Sequence, residues 1–261
     1  MTPGSILLRD LVGYLDGYLR IAEIPDDPNA VNGLQVENRG TISRIVAAVD
    51  ASQATIDGLN GPSAALLLVH HGLFWEGNLP VTGRRYRRIR ALLERDTALY
   101  SAHIPLDLHP GVGNNAVLAR ALGLVDPEPF GTHKGMLIGV AGTQPGPAAT
   151  REDLVRRLAD LLSLTPSAIR LIAGGPEQIR RVGVITGAAG TAIGQAREAG
   201  CDTFITGEGA AHTYFDAMEL GVNVIYAGHY ATETVGVRAL AEHLGERFGL
   251  PWEFHDHPTG M

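Results

Sequence analysis

The sequence predicts an α/β fold with a mostly parallel sheet, and three observations carry that prediction. Runs of apolar and β-branched residues alternate with stretches whose apolar residues recur every three or four positions. Glycine (33) and proline (15) are spread along the chain as turn signals and form no low-complexity tract. A strand–turn–helix–strand layout also occurs twice. "ISRIVAAVDASQATIDGLNGPSAALLLVHHG" resembles "IRRVGVITGAAGTAIGQAREAGCDTFITGEG", with 26 positions from Arg44 to His70 and 27 from Arg181 to Glu208. The repeat is weak, because generic βαβ units look much the same.

The elements follow in order. "SILLRDLVGYLDGYLRI" is an amphipathic helix with Ser5 as its expected N-cap. "PDDPNAVNGLQVEN" is loop, with an Asn32-Gly33 turn. "SRIVAAVD" is a buried strand ending at Asp50, and Ser52 caps the next helix. "AALLLVHHG" is a strand, "TGRRYRRIRALLERD" a helix, "TALYSAHIPLD" contains a strand, and "NNAVLARALGL" is a helix closed by Gly123. From Pro127 to Pro147 the chain turns Gly-rich around a short strand, which places a domain boundary near residues 126–130. Thr150 and Asp153 then fit the N-cap and acidic third position of a helix. The expected division is 1–126 and 127–222, with the strand and helix from about 223 packing back on the first part.

With 261 residues, 45% hydrophobic and 19% charged, the chain can bury one large or two moderate cores. Its net charge of −7 and lack of a long basic tail argue against nucleic acid as a partner. The one dense basic run, Gly83 to Arg90, is expected to be a solvated helix face. A small anionic substrate stays open. A single cysteine, Cys201, allows no intramolecular disulfide and is expected to be a buried, inert thiol. Neither a signal peptide nor an apolar run of the ~20 residues a membrane span needs is legible, so a cytoplasmic location is expected.

Three strand ends carry residues suited to chemistry. His70 and His71 follow "LLLV"; adjacent strand residues point to opposite faces, so they converge only if the chain turns there, as Gly72 permits. The pair alone serves two readings equally: two ligands, or one hydrogen-bonded imidazole beside an exposed one. "YSAHIPLDLHPGVGNN" places His103, Asp107 and His109 after another strand. Asp107 at the strand-to-loop junction can equally cap loop amides, and His109 is expected to be exposed. In "VNVIYAGHYATETVGVRALAEHL", His229 and Glu233 lie four apart where a strand delivers a helix, so they can share a face. Together His70, His71, Asp107, His229 and Glu233 are too many for one tetrahedral site and suit two divalent ions with open positions. Without a thiolate, Zn, Mn, Fe, Co and Ni all fit.

The motifs "VNGLQV", "LLLVHHGLFWEG", "SAHIPLDLHPGVGNN", "TGE" and "AGHYATETVGVRAL" occur in the order found in the NIF-three-like family, also catalogued as the GTP cyclohydrolase I type 2 homologues. The chain resembles its compact bacterial form over nearly its whole length. The resemblance implies two similar α/β lobes around a dinuclear metal centre, with toroidal homohexamers. It carries the ligand roles to His70, His71, Asp107, His229 and Glu233, with Glu233 as the bridge. It gives His103 and Glu208 supporting or proton-transfer roles, and they are the candidate catalytic residues. The ending "EFHDHPTGM" departs from the family pattern, so His255 and His257 are not carried over.

The function this implies is a metal-dependent hydrolase acting on a nucleotide, as in GTP ring opening, although nothing in the sequence itself specifies guanine. A phosphoesterase fits the same ligands. So does a metal-binding carrier or scaffold without turnover.

Overall fold

The computed structural model describes residues 4–61, 64–146 and 149–261, and divides into two compact units. The first comprises residues 1–112 and 236–257, the second 113–235 and 258–261.

In the first unit, β1 (Ile6–Leu7), α1 (Leu8–Tyr18), β2 (Gly33–Val36), β3 (Thr41–Ile42), β4 (Arg44–Asp50), α2 (Gln53–Asp57), β5 (Ala65–His71), α3 (Gly83–Glu94), β6 (Thr97–Ser101) and α4 (Ile104–Asp107) follow in order. Ser5 does not cap the first helix. Ile6 and Leu7 pair with Ile42 and Thr41 instead, and the helix begins at Leu8 after an uncapped Leu7. Ser52 does cap α2, its hydroxyl accepting from Thr55 N–H. β4, β5 and β6 pair in parallel, and β2 closes the sheet antiparallel to β6. The strands are buried almost throughout because both faces of this sheet are covered, which is why they read as continuous apolar runs. Val46, Ala48, Leu67, Val69 and Leu99 pack with Ile56 of α2 and Leu92 of α3.

The basic run lies on α3 and is not solvated along its whole length. Arg85 is buried, donating to the carbonyls of Leu79 (2.5 Å) and Gly77 (2.6 Å) and lying 5.3 Å from the Phe74 ring centroid. Its long stem packs while its fork satisfies loop carbonyls that have no ladder of their own.

In the second unit, α5 (Asn114–Ala121), β7 (Val125–His133), β8 (Met136–Thr143), α6 (Arg151–Leu161), β9 (Arg170–Ala173), β10 (Arg181–Val184), α7 (Ile193–Glu198), β11 (Thr203–Thr206), α8 (Thr213–Leu220) and β12 (Asn223–Tyr226) follow. The sheet order is β7-β8-β10-β11-β12-β9. Its central strands β10, β11 and β12 are parallel, while β7, β8 and β9 run antiparallel to their neighbours. Thr150 and Asp153 form a reciprocal capping box at the head of α6.

The last helix, α9 (His229–Phe248), crosses from one unit to the other between Val235 and Gly236, and β13 (Trp252–Phe254) joins the first sheet beside β4. Two particulars differ from the division read in the sequence. α5 belongs to the second unit, because Leu118, Ala119 and Leu122 bury against Val182, Val184 and Leu158 there. β12 also stays in the second unit, paired in parallel with β11, so only the later part of α9 and β13 return to the first. Among the described residues no helix is long and apolar enough to cross a membrane.

Candidate functional site

In the first unit, His70 and His71 end β5, and the chain turns directly after them. Gly72 makes room there for Gln35: a Cβ at this position would lie 2.2–2.5 Å from the Gln35 amide group. That amide is held in place. Gln35 donates to the carbonyls of Ala30 (3.1 Å) and Val31 (2.9 Å) and accepts from Leu73 N–H (2.8 Å). The "NGLQ" loop thus braces the "HHG" turn.

Each histidine has its tautomer set by the partner of Nδ1. His70 Nδ1 donates to the Ala102 carbonyl at 2.9 Å, and the ring is fully buried. His71 Nδ1 donates to Asp50 Oδ1 at 3.0 Å. His103 Nδ1 donates to Asp26, 2.9 Å and 3.1 Å from its two oxygens. A neutral imidazole that donates from Nδ1 carries its lone pair on Nε2, the atom that can bind a metal. Backbone carbonyl and carboxylate partners of this kind are the usual orienting groups of metal-bound histidines.

The three rings lie together. The His70 centroid is 4.7 Å from that of His71 and 4.9 Å from that of His103, and donor atoms of all three fall within 4.8 Å of one another. Asp107, the last residue of α4 and buried, brings Oδ2 to 3.7 Å from His70 Nε2. The Trp75 indole closes over the group, its centroid 4.8 Å from the His103 ring and 5.8 Å from the His71 ring.

Asp26 and Asn32 hold the chain at His103. Asn32 Oδ1 accepts from His103 N–H (2.7 Å), Asn32 donates to Asp26 (2.8 Å), and Asp26 also accepts from Ile104 N–H (3.0 Å). Burial alone would raise the Asp26 carboxyl, but the hydrogen bond and charge of His103, with Asn32 and the Asp27 amide, hold it at about 2. His109, expected to be exposed, is half-buried. Its Nδ1 accepts from Gly111 and Val112 N–H, both at 3.1 Å, and its ring packs 4.2 Å from Tyr18, so it shapes the turn after α4.

In the second unit, the candidate residues stand at the carboxyl ends of parallel strands, where open α/β sheets place their ligand sites. His229 opens α9 after β12, and Glu208 follows β11. His229 Nδ1 donates to Glu208 Oε1 at 2.8 Å, and its Nε2 faces Glu233 Oε1 at 3.1 Å, one helical turn on. Glu233 is buried. The Glu233 hydrogen bond, opposed by burial and helped by the Glu233 and Glu208 charges, raises His229 to about 9. Gly187, at φ +71 after β10, lets the backbone pass this pair: a Cβ there would sit 2.5 Å from Glu233 Oε1.

His255 and His257 lie near one another in the first unit, with centroids 6.3 Å apart, and His255 Nε2 reaches Glu253 at 3.4 Å. Neither belongs to the histidine group at β5. Cys201 is fully buried, and desolvation raises its thiol to about 11. Sequence reasoning missed Asp26, Asp50 and Trp75. Asp50 had one available signal, its position at the end of the strand that pairs with β5.

The donor set contains imidazole and carboxylate and no thiolate, which suits the borderline and harder divalent ions. Comparison with known proteins agrees on the chain's kin. A Deinococcus radiodurans protein named GTP cyclohydrolase 1 type 2 homolog is 48% identical over 260 residues, covering 99% of this chain and 96% of its own. A Halobacterium salinarum protein of the same name is 42% identical over 255 residues, covering 97% and 99%. The crystal structure of TTHA1606 from Thermus thermophilus matches with a TM-score of 0.87 and 44% identity, over 98% of this chain and 100% of that one. The family model Duf34/NIF3 (NGG1p interacting factor 3) matches residues 6–259, and the chain belongs to that family.

Proposed function

We propose that this chain binds two divalent metal ions and is a metal-dependent hydrolase acting on a nucleotide, of the kind its relatives' name denotes. One observation carries the reading. His70, His71, His103 and His229 each donate Nδ1 to a carbonyl or carboxylate, which presents Nε2 for coordination. Packing alone does not call for four imidazoles to turn the same nitrogen, Nδ1, to a carbonyl or carboxylate.

The ligands assigned are His70, His71, Asp107, His229 and Glu233, with Glu233 as the bridging carboxylate. Zn, Mn, Fe, Co and Ni fit this set equally. Bound, such a pair of ions supplies an acidified water as nucleophile and stabilises charge on the attacked centre.

The chain's own residues do the rest. Asp50 and the Ala102 carbonyl fix the rings of His71 and His70. Glu208 fixes His229. His103, held by Asp26, is the proton-transfer residue, and the carboxylate sets its orientation. Trp75, packed on His103 and His71, excludes water from that side.

The test has two stages. Elemental analysis of protein purified without chelators is expected to find two divalent ions per chain. The loaded protein is then assayed with GTP and a panel of phosphate esters, beside Glu233→Gln. Turnover of GTP lost at least a hundredfold in the variant supports the reading. Turnover only of phosphate esters moves the substrate class. Stoichiometric metal with no turnover in either protein leaves a metal carrier or scaffold. A homohexamer in the cytoplasm completes the proposal, and light scattering of the purified chain tests the assembly.

A further inference from the structure

A cavity of about 530 Å³ lies within the second unit, at the carboxyl ends of β11 and β12. That volume is in the range of small-molecule sites. Glu208 lines it, and through Oε1 that same carboxylate holds the candidate ligand His229 at 2.8 Å. A molecule in the cavity is therefore separated from His229 by one side chain.

The donors of the cavity suit an anion. Arg170 on β9, the register partner of Tyr226, lines it. The Arg170 guanidinium has no hydrogen bond, ion pair or ring partner among the described residues. The loop that follows Glu208 also lines it, and the backbone N–H groups of Gly209, Ala210 and Ala211 donate to nothing among the described residues. Arg170 and residues 209–211 are solvent-exposed, and an arginine fork with successive amides supplies the donors that a phosphate site uses.

The wall also carries acceptors. Glu208 accepts from His229, and the Met261 backbone oxygen accepts from Tyr230 N–H at 3.2 Å. The Tyr226 hydroxyl is tied to Thr213, whose own hydroxyl donates to the Ala210 carbonyl, so this loop is held in shape from within the unit.

We infer that this cavity binds the phosphate group of a nucleoside phosphate, on Arg170 and the amides of residues 209–211. The inference rests on the nucleotide reading given above. It assigns the phosphate to a binding role: the phosphate is the handle by which the substrate is held, and the group attacked is elsewhere in the nucleotide.

Isothermal titration of the full chain, loaded with Zn, with GMP, guanosine and inorganic phosphate tests it. The wild type is expected to bind GMP at least about tenfold more tightly than guanosine, the difference a charge-assisted contact supplies. Arg170→Ala is expected to bring GMP to within about twofold of guanosine, while guanosine affinity and metal content stay as in the wild type. Arg170→Lys is expected to restore part of the difference, because it keeps the charge and loses the planar fork. Equal affinity for GMP and guanosine in the wild type overturns the inference, as does an Arg170→Ala protein that retains the wild-type ratio. Absence of measurable GMP binding overturns it too, while two bound ions and GTP turnover would leave the hydrolase reading standing. If instead the wild type takes up no metal, that reading falls, and the GMP-to-guanosine ratio of the metal-free chain still decides this one.

Discussion

His71 and Asp50 are register partners at the ends of two parallel strands, and their side chains meet, His71 Nδ1 to Asp50 Oδ1 at 3.0 Å. The pairing follows from the sheet. β4 and β5 run side by side, so their final residues emerge at the same edge, where the chain leaves the ladder. A carboxylate there fixes which imidazole nitrogen carries the proton and leaves the other to face a metal. Asp50→Ala is accordingly expected to weaken divalent metal binding about ten- to a hundredfold without unfolding the chain. Competition with a chromophoric chelator measures this. Wild-type affinity in the variant would remove Asp50 from the site.

The turn after the histidines depends on Gln35. Adding a methyl group at Gly72 would drive its Cβ into an amide that is fixed by Ala30, Val31 and Leu73. Gln35 has to leave, and three hydrogen bonds go with it. Gly72→Ala is expected to cost about 1–3 kcal/mol in denaturant unfolding. Gln35→Ala in the same background should add little further, because the interaction is already lost. Additive losses in the double variant would mean that the two residues do not act together.

The Asp26 carboxyl gives an acid limit to this region. Its folded value, about 2, lies below the ordinary carboxylate range. A lowered acid contributes stability that is present above the unfolded value near 4 and is lost as the pH falls through about 2. Asp26→Asn removes that contribution. The variant is expected to lose less stability than the wild type between roughly pH 4 and pH 2, while being less stable at neutral pH. Parallel slopes for the two proteins across that window would show that Asp26 is not held down by His103.

How much of this was legible follows from distance along the chain. The apolar run "LLLV" ending on two histidines marks a strand end, and the spacing of His229 and Glu233 marks a shared helix face; both are local patterns. The reciprocal cap at Thr150 and Asp153 is local as well. Asp26 lies 77 positions from His103, and Gln35 lies 38 from Leu73, so the bracket they form depends on a fold that no local pattern encodes. Ser5 failed as a cap for the same reason: pairing with Thr41 and Ile42, far along the chain, outweighs a local preference. The unit boundary at α5 was hidden because an apolar helix face does not say which core it joins. Arg85 shows the converse, a charge in a basic run that is buried because it answers loop carbonyls.

His229 supplies the last prediction. Without metal, the imidazole bridges Glu208 and Glu233 and is raised to about 9, with the Glu233 hydrogen bond as the largest cause. A raised histidine contributes stability that is complete below its unfolded value near 6.5 and is lost as the pH rises through about 9. The metal-free chain is therefore expected to lose stability between roughly pH 6.5 and pH 9. Glu233→Gln should move the His229 titration down, toward its ordinary value, because the main hydrogen bond then comes from a neutral group. NMR titration of the histidine ring protons in metal-free protein measures both. A divalent ion competes with the same proton for Nε2, so adding zinc should abolish the titration near 9. A His229 signal that titrates near 9 with zinc present would exclude Nε2 as a ligand, and with it the assignment of His229 to the metal site.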